Sequence, residues 1–276
     1  MKASLETRII SNFMLYIDNA LQKYGSAYQN YSGRLYPVQS DIANRYAYST
    51  PFKPLCNDTS IAGAQIMSGV YVNGTYTPLG SGGLTEINHY KGVVYFNTPL
   101  ASSAVVSGNY AIKEFQVELA DDTEWNLLFN RKYVNNNSLP QNISGLPIDA
   151  KVLPIVYVVV KGQENKPFAF RKIDESRVEL RCVILTDNEW QCVGASSILK
   201  NTFENHMPML TGLPFNQNGT TTGQMFNYDT NLRDSGFYPW IAQARAADIL
   251  QKGDYKDIPR RMATVDFIIS TIMVNS

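Results

Sequence analysis

The chain of 276 residues contains two histidines, His89 and His206, which are the first side chains to consider for catalysis or metal binding. His89 lies in a segment of alternating polarity, and His206 follows a predicted helix. Neither has a nucleophile or a second histidine at the spacing that general-base catalysis or zinc coordination requires. We therefore interpret both as structural or surface side chains, and the sequence predicts no metal site.

A glycine-rich segment at residues 79–84 (LGSGGL) is the one stretch that resembles a phosphate-binding loop. Such a loop needs a following Lys-Ser or Lys-Thr pair and must open a helix, because the phosphate binds at the helix N-terminus. Here the pair is missing and predicted strands flank the glycines. We interpret the segment as a loop between strands, and we predict no cofactor.

Acidic residues give no firm indication of hydrolytic chemistry. Asp254 and Asp257 lie near Arg260 and Arg261, and we expect solvated ion pairs there, each contributing less than about 1 kcal/mol. Glycoside hydrolysis needs two carboxylates held across a cleft, a separation that sequence spacing does not reveal. An enzyme of that class therefore stays open as an alternative, but the prediction is a protein without enzymatic activity.

The three cysteines, Cys56, Cys182 and Cys192, are too few and too scattered for a disulfide framework. Cys182 and Cys192 flank a predicted turn and could lie near each other across a hairpin. The favoured interpretation is that all three are small buried side chains with reduced thiols.

Charge and hydropathy argue against several classes of protein. The chain carries 24 basic and 24 acidic side chains and has a net charge of zero, so it has no basic excess to attract nucleic acid. No apolar run approaches the 18 or so residues that a membrane span needs. The N-terminal residues have no apolar stretch before their charges, so we expect no secretory signal.

The first half of the chain predicts a helix followed by β-hairpins. Apolar residues recur at helical spacing over residues 5–24, with Ser4 as N-cap and Gly25 as the residue after the helix. Residues 25–54 are rich in Tyr and Pro and read as a long irregular segment. Asn73-Gly74 predicts a type I′ hairpin over residues 70–77. Two more hairpins are predicted over residues 89–96 and 106–112, and a short helix over residues 126–129.

The second half predicts a sheet with intervening helices. Residues 152–160 are apolar on both faces, which is typical of a central strand, and residues 177–185 are the predicted neighbour. The remaining predictions are a short strand at 190–193, helices at 195–203 and 241–250, an irregular segment at 207–237 and a strand at 263–272. That last strand either closes the sheet of its own domain or pairs with the sheet edge of another subunit.

These elements predict an α+β fold with an N-terminal helix and antiparallel β-meander followed by a mixed-sheet domain. The predicted domains are residues 1–133 and 151–276, and residues 134–150 form a linker or an exposed loop.

Uncharged polar and aromatic residues dominate the loops, with 17 Tyr and 12 Phe in a chain that is only 17% charged. Such surfaces either contact other subunits or fasten loops to their own domain, and carbohydrate stacking is a weaker alternative. The predicted interface residues are Tyr31, Tyr36, Tyr46, Tyr48, Phe215, Phe226, Tyr228, Phe237, Val265, Phe267 and Ile269.

The order of these segments resembles virion structural proteins of tailed bacteriophages, especially those of the neck or tail end. The resemblance lies in the N-terminal helix, the SGVYVNG and INHYKGVVYF stretches at residues 68–74 and 87–96, and FAF and RVELRCVILTDN at 168–170 and 177–188. It implies a non-enzymatic subunit of a ring that joins head to tail, with six copies favoured and twelve as the alternative. It also implies assembly in the bacterial cytoplasm, neighbouring virion proteins as partners and at most non-specific contact with DNA in the lumen.

A second interpretation is a baseplate or tail-fibre module that binds a glycan of the host surface through aromatic side chains in its loops. It predicts a preformed groove with several exposed aromatic faces, whereas the ring subunit predicts surfaces that are completed by neighbouring copies.

Overall fold

A computed structural model describes residues 4–135, 151–169, 173–203, 205–231, 237–247 and 261–274. The described residues form a seven-stranded antiparallel sheet, a five-stranded mixed sheet, a two-stranded parallel sheet and three helices. The predicted α+β class is confirmed.

The helices are α1 (Leu5–Gly25), α2 (Glu124–Phe129) and α3 (Glu189–Lys200). The strands are β1 (Tyr28–Val38), β2 (Tyr46–Ser49), β3 (Gly69–Val72), β4 (Thr75–Pro78), β5 (Leu84–Asn88), β6 (Val93–Phe96), β7 (Val106–Lys113), β8 (Gln116–Leu119), β9 (Val134–Asn135), β10 (Val152–Leu153), β11 (Ile155–Ala169), β12 (Ile173–Thr186), β13 (Trp240–Ala247) and β14 (Arg261–Val274).

The seven-stranded sheet has the order β4-β3-β7-β1-β2-β6-β5, and every neighbouring pair is antiparallel. The first predicted hairpin is confirmed, since Asn73 and Gly74 have φ angles of 49° and 83° between β3 and β4. The second is confirmed as the β5–β6 pair. The third is wrong, because Gly108 and Asn109 lie within the continuous strand β7, which pairs with β1.

Residues 25–54 are not the irregular segment that their Tyr and Pro content predicted. They contain β1 and β2, and β1 is an inner strand between β7 and β2. One apolar cluster gathers Leu35 of β1, Val70 of β3 and Leu84 of β5, so strands from both ends of the sheet meet in one core. The sheet is therefore curled around its own apolar interior.

The five-stranded sheet has the order β13-β14-β12-β11-β8, with β11 and β8 parallel and the other pairs antiparallel. As predicted, β11 is a central strand with both faces covered at its start. Val156 and Val158 join the core beneath α1 and α3, while Ile155 and Tyr157 join a separate cluster on the other face.

Helix α1 lies between the five-stranded sheet and the rest of the protein. Its apolar residues Ile9, Phe13 and Ile17 pack in the core of the five-stranded sheet. Ser4 is the N-cap and accepts a hydrogen bond from the amide of Thr7, as expected. The left-handed residue at the C-terminus is Ser26, with φ 49°, and not Gly25. The sequence placed this helix in one domain with the meander, whereas its apolar core is shared with the C-terminal sheet.

Two local predictions in the second half are wrong. Residues 190–193, predicted as a strand, form the first turn of α3, because the Asn188 side chain accepts the amide of Trp190 as an N-cap. The predicted helix at 241–250 is instead the strand β13 over residues 240–247, and residues 248–250 lie outside the described residues. Most of the predicted linker, residues 136–150, also lies outside them.

Candidate assembly interface

The predicted interface tyrosines of the first half are mostly fastened to their own sheet. Tyr31 packs against Phe52 with a ring-centroid distance of 5.0 Å, and Tyr48 packs against Phe96 at 5.7 Å. Tyr36 is half-buried beneath the guanidinium of Arg34. In the second half of the chain, too, the aromatic residues that were predicted to face a partner pack against their own chain. Tyr46 differs from these three tyrosines, since it is 44% exposed.

The predicted aromatic residues of the second half lie in or beside residues 205–231, here called the strap. Phe226 and Tyr228 are each only 6% exposed and pack with Leu15 of α1. Phe215 packs at the margin of the same cluster. Phe237, beyond the strap, lies beneath Arg8 with 5.7 Å between the guanidinium carbon and the ring centroid. These side chains fasten the strap and its neighbour to α1.

Val265, Phe267 and Ile269 are core residues, which corrects their assignment to an interface. All three are at most 1% exposed and belong to the apolar cluster under α1 and α3. Their strand β14 pairs with β12 along its whole length and with β13 from Thr264 to Ser270, so all three residues lie where both sides of β14 are paired. Of the two alternatives that the sequence left open, the strand closes the sheet of its own chain.

The outer edge of β13 is open over residues 242–247. On its inner side β13 pairs with β14, and near Trp240 its outer side contacts the strap, where the amide of Ile241 donates to the Asn205 carbonyl at 3.0 Å. Beyond that point no strand of the described residues pairs with it. An open edge presents a row of backbone donors and acceptors that can pair with another strand.

A second open edge lies on the opposite side of the same sheet. The outer side of β11 pairs with β8 only from Ile155 to Val158, and the amide of Ala120 donates to the Val158 carbonyl. From Val159 onward no strand among the described residues covers this side. Val160, which is 40% exposed, lies just past the covered part. The two edges differ in sequence, so a contact of one edge with the other edge of a second copy joins two different surfaces.

One face of the five-stranded sheet carries charged side chains beyond the cluster at Tyr157, and we call it the polar face. Arg181 donates to both carboxylate oxygens of Asp266, at 2.6 and 3.0 Å. Lys161 pairs with Glu124 of α2, which also accepts a longer hydrogen bond from Arg181. Acidic and basic side chains are paired on this face, so its described residues form no basic patch for tight DNA binding.

A buried ion pair joins α1 to the seven-stranded sheet. Lys113 at the end of β7 donates to Asp18 of α1 at 2.7 Å, and Gln22 donates to the same carboxylate at 2.9 Å. Both members of the ion pair are less than a tenth exposed. Burial raises the pKa of Asp18 in spite of the lysine. Sequence patterns offered no signal for this pair, because its members are far apart in the chain.

Asp58 fastens the strap to the first half of the chain. Its side chain accepts the amides of Ser60 and Tyr228 at 2.9 and 3.0 Å, and the side chain of Asn19 donates to it at 2.8 Å. Asn12 of α1 adds a second attachment by accepting the amide of Leu210 at 2.7 Å. The polar positions of α1 thus hold the strap while its apolar positions hold the sheet.

A third polar cluster surrounds Glu118 of β8, which is 4% exposed. Its carboxylate accepts hydrogen bonds from Tyr90, Gln116 and Lys151. Burial and the neighbouring carboxylate raise the pKa of the Tyr90 hydroxyl. A cavity of about 300 Å³ lies between this cluster and the Asp18–Lys113 pair. Each charged side chain that lines this cavity is paired with one of opposite charge. We therefore interpret these side chains as contacts that hold neighbouring helices and strands together.

His89 is a buried structural residue, as predicted, and links the strap to the seven-stranded sheet. Its Nδ1 lies 3.0 Å from the Gly223 carbonyl oxygen and its Nε2 lies 3.0 Å from that of Met67. A neutral imidazole has one N–H and can donate to only one of these carbonyls. The two carbonyls favour the protonated ring, but burial has the larger effect and lowers the pKa of His89.

We expect His89 to make the protein less stable as the pH falls. Its folded-state pKa lies below the unfolded value of about 6.5, so the stability that it contributes is present above that pH and is lost on acidification. Replacing His89 with Gln should flatten the dependence of the unfolding free energy on pH below about 6.5. Urea titrations across this range measure the effect, with exposed His206→Gln as control. An unchanged pH profile for His89→Gln would contradict it.

The cysteines and the glycine-rich segment, which were considered for chemistry, have structural positions. The three cysteines are buried, as favoured, and none forms a disulfide. Cys182 lies in β12 and Cys192 in α3, so they do not face each other across a hairpin. Residues 79–83 connect β4 to β5 and do not open a helix. Asp254, Asp257 and Arg260 lie outside the described residues.

The described part of the chain contains no group of three or more His, Cys, Asp or Glu side chains placed to hold a metal ion. Among the described helices, none combines the length and the apolar character that crossing a membrane requires.

Comparisons with known proteins identify no family. No model of a known protein family matches the chain, and no curated protein is significantly similar to it. The class that the fold itself defines is an α+β protein in which a central helix braces a five-stranded sheet, and the outer strands of that sheet are partly unpaired among the described residues.

Proposed function

We propose that the protein is a structural subunit without enzymatic activity that builds a ring in the virion of a tailed bacteriophage, at the neck or as a tail terminator that joins head to tail. Six copies are favoured and twelve are the alternative. Neighbouring virion proteins are its other partners, and assembly takes place in the cytoplasm of the bacterial host.

One observation carries this proposal. The five-stranded sheet ends in two different open edges, β13 on one side and the distal part of β11 on the other. A contact between two different surfaces repeats from copy to copy and forms a ring when the rotation closes. This chain forms its own apolar cores and has unpaired backbone at opposite sides of one sheet. Such a subunit is suited to a contact that repeats from copy to copy.

The braced interior supports the same role. A ring subunit must keep the angle between its two contact surfaces constant, because a small error in that angle prevents closure. Helix α1 packs on the sheet through Phe13 and Ile17, and the Asp18–Lys113 pair and the Asp58 contacts tie it to the seven-stranded sheet and to the strap. The balanced charges of the polar face would allow DNA to pass with at most non-specific contact.

The glycan-binding alternative receives less support from the aromatic residues that were predicted as an interface. It expects several loop aromatic side chains with exposed faces along a groove. Of those eight residues, Tyr46 is the only one that is more than about a third exposed. Other aromatic side chains of the described residues are exposed, among them Trp125 of α2, Trp190 of α3 and Tyr238, so glycan binding is tested beside ring formation.

Imaging of the purified protein tests the proposal. We expect negative-stain images at high protein concentration to show closed rings, and the solution mass to correspond to six or twelve copies. A monomer at every concentration would contradict the proposal, and a trimer would favour a fibre or baseplate part. A glycan array on the same sample provides the second readout, where selective binding by a monomer would support the alternative.

A further inference from the structure

We infer that the open part of β13 pairs with the open part of β11 in the next copy of the chain, so that the five-stranded sheet continues from subunit to subunit. This inference rests on the proposed ring and adds the surface through which the ring closes. The occupant of each edge is a second copy because the two edges carry opposite charges on the same face of the sheet, Arg245 on β13 and Glu164 on β11.

Strand directions agree with this pairing. β11 is antiparallel to β12, β12 to β14 and β14 to β13, so β13 runs opposite to β11 within one chain. All copies in a cyclic ring have the same direction along the axis. β13 of one copy therefore meets β11 of the next in the antiparallel arrangement, which continues the alternation of the sheet and is the more stable ladder.

Side-chain direction selects the register. Arg245 lies opposite Asp266 in β14, and Glu164 lies opposite Arg177 in β12, so both are placed on the polar face. Residues that face each other across an antiparallel pair share a face, and opposite charges there are favourable. Placing Arg245 opposite Glu164 of the next copy meets both conditions. It aligns residues 243–247 with residues 162–166 and sets Ala246 opposite Gln163.

The charges at these positions are free to pair in this way. Arg245 is exposed and makes no ion pair with a described residue. Glu164 pairs with Lys166 of its own strand at 2.9 Å, but both side chains are about half exposed, so the pair is weak. Glu164 can therefore turn to Arg245 of a neighbouring copy at little cost.

The stagger of this register suits a closed ring. Within one copy Arg245, Asp266, Arg181 and Val159 form a row across four strands. Glu164 of β11 lies opposite Arg177, which is four residues from Arg181 along β12. With about 3.3 Å per residue and about 4.8 Å between strands, this offset tilts the strands by roughly 35° from the ring axis. Strands in closed barrels are tilted by about 35–45°.

Reciprocal charge reversal tests the pairing. We expect Arg245→Glu and Glu164→Arg each to weaken assembly at least about tenfold in sedimentation velocity, because like charges then face each other. The double variant Arg245→Glu/Glu164→Arg should recover most of the loss. Lys200→Glu, an exposed reversal on α3, should assemble as the unmodified protein does. Thermal melts of all variants confirm that each is folded.

The outcomes separate this inference from the proposed function. If the unmodified protein forms rings and both single reversals also form them normally, or if the double variant recovers nothing, the β13–β11 register is wrong and the ring stands. If the unmodified protein forms no ring at any concentration, the proposed function fails and the pairing fails with it.

Discussion

Phe267→Ala is expected to lower the free energy of unfolding by about 3–5 kcal/mol, the range for removing a buried aromatic ring. Phe267 is 1% exposed and packs edge-on against Phe13 of α1, with 4.9 Å between ring centroids. Its removal leaves a cavity between β14 and the helix that braces the sheet. Urea or guanidinium titration measures the loss.

Tyr46→Ala is the matched control for this prediction. Tyr46 was also predicted as an interface residue but is 44% exposed, so we expect its replacement to change stability by less than about 1 kcal/mol. If Phe267→Ala were as stable as Tyr46→Ala, Phe267 would not be a core residue and β14 would have to be reconsidered as an exposed strand.

Lys113→Met is expected to cost about 3–5 kcal/mol of stability, because it leaves the carboxylate of Asp18 buried without its partner. The methionine side chain has a similar length and keeps the apolar packing of the lysine stem. Lys23→Met is the control, since Lys23 pairs with Asp229 at 3.7 Å on the surface and should cost less than about 1 kcal/mol. Chemical denaturation at neutral pH compares the two.

The Lys113→Met deficit should depend on pH and on Asp18. Burial already raises the pKa of Asp18, and loss of the lysine raises it further, so protonation relieves the deficit as the pH falls. We expect a smaller difference from the unmodified protein in mild acid than at neutral pH. Adding Asp18→Asn should also recover part of the loss. A deficit that is the same at all pH values, and in the double variant, would assign the effect to packing alone.

Local sequence signals predicted two of the three hairpins and the buried strands well. Asn73-Gly74 specifies its turn because both positions need positive φ angles, and the apolar run of β11 specifies burial on both faces. Such features depend on neighbours in the chain, and they were confirmed.

Predictions failed where tertiary pairing outweighs local preference. The alanines of β13 favour a helix, but Ala244 and Ala246 alternate with Gln243 and Arg245, a period of two that indicates a strand. Gly108-Asn109 resembles a turn but is held extended by pairing with β1. Residues 25–54 were predicted to be irregular because of their Tyr and Pro content, but pairing with neighbouring strands makes β1 and β2 there.

The candidate interface was the hardest part to predict from the sequence. Exposed and buried aromatic residues have the same composition, so Phe226 and Phe267 were grouped with Tyr46 although only Tyr46 is exposed. An open strand edge is a property of the backbone and of sheet order. It has no residue type of its own, so the edges of β11 and β13 emerge only from the topology.

Disulfide cross-linking between two variants, each with one added cysteine, tests most directly whether copies join through two different edges. Gln163→Cys and Ala246→Cys place thiols at positions that face each other in the inferred register, while the native cysteines are buried. The account predicts that oxidation of the mixture yields covalent heterodimers and that neither variant alone forms dimers. Equal cross-linking of each variant with itself, or none in the mixture when rings are present, would contradict it.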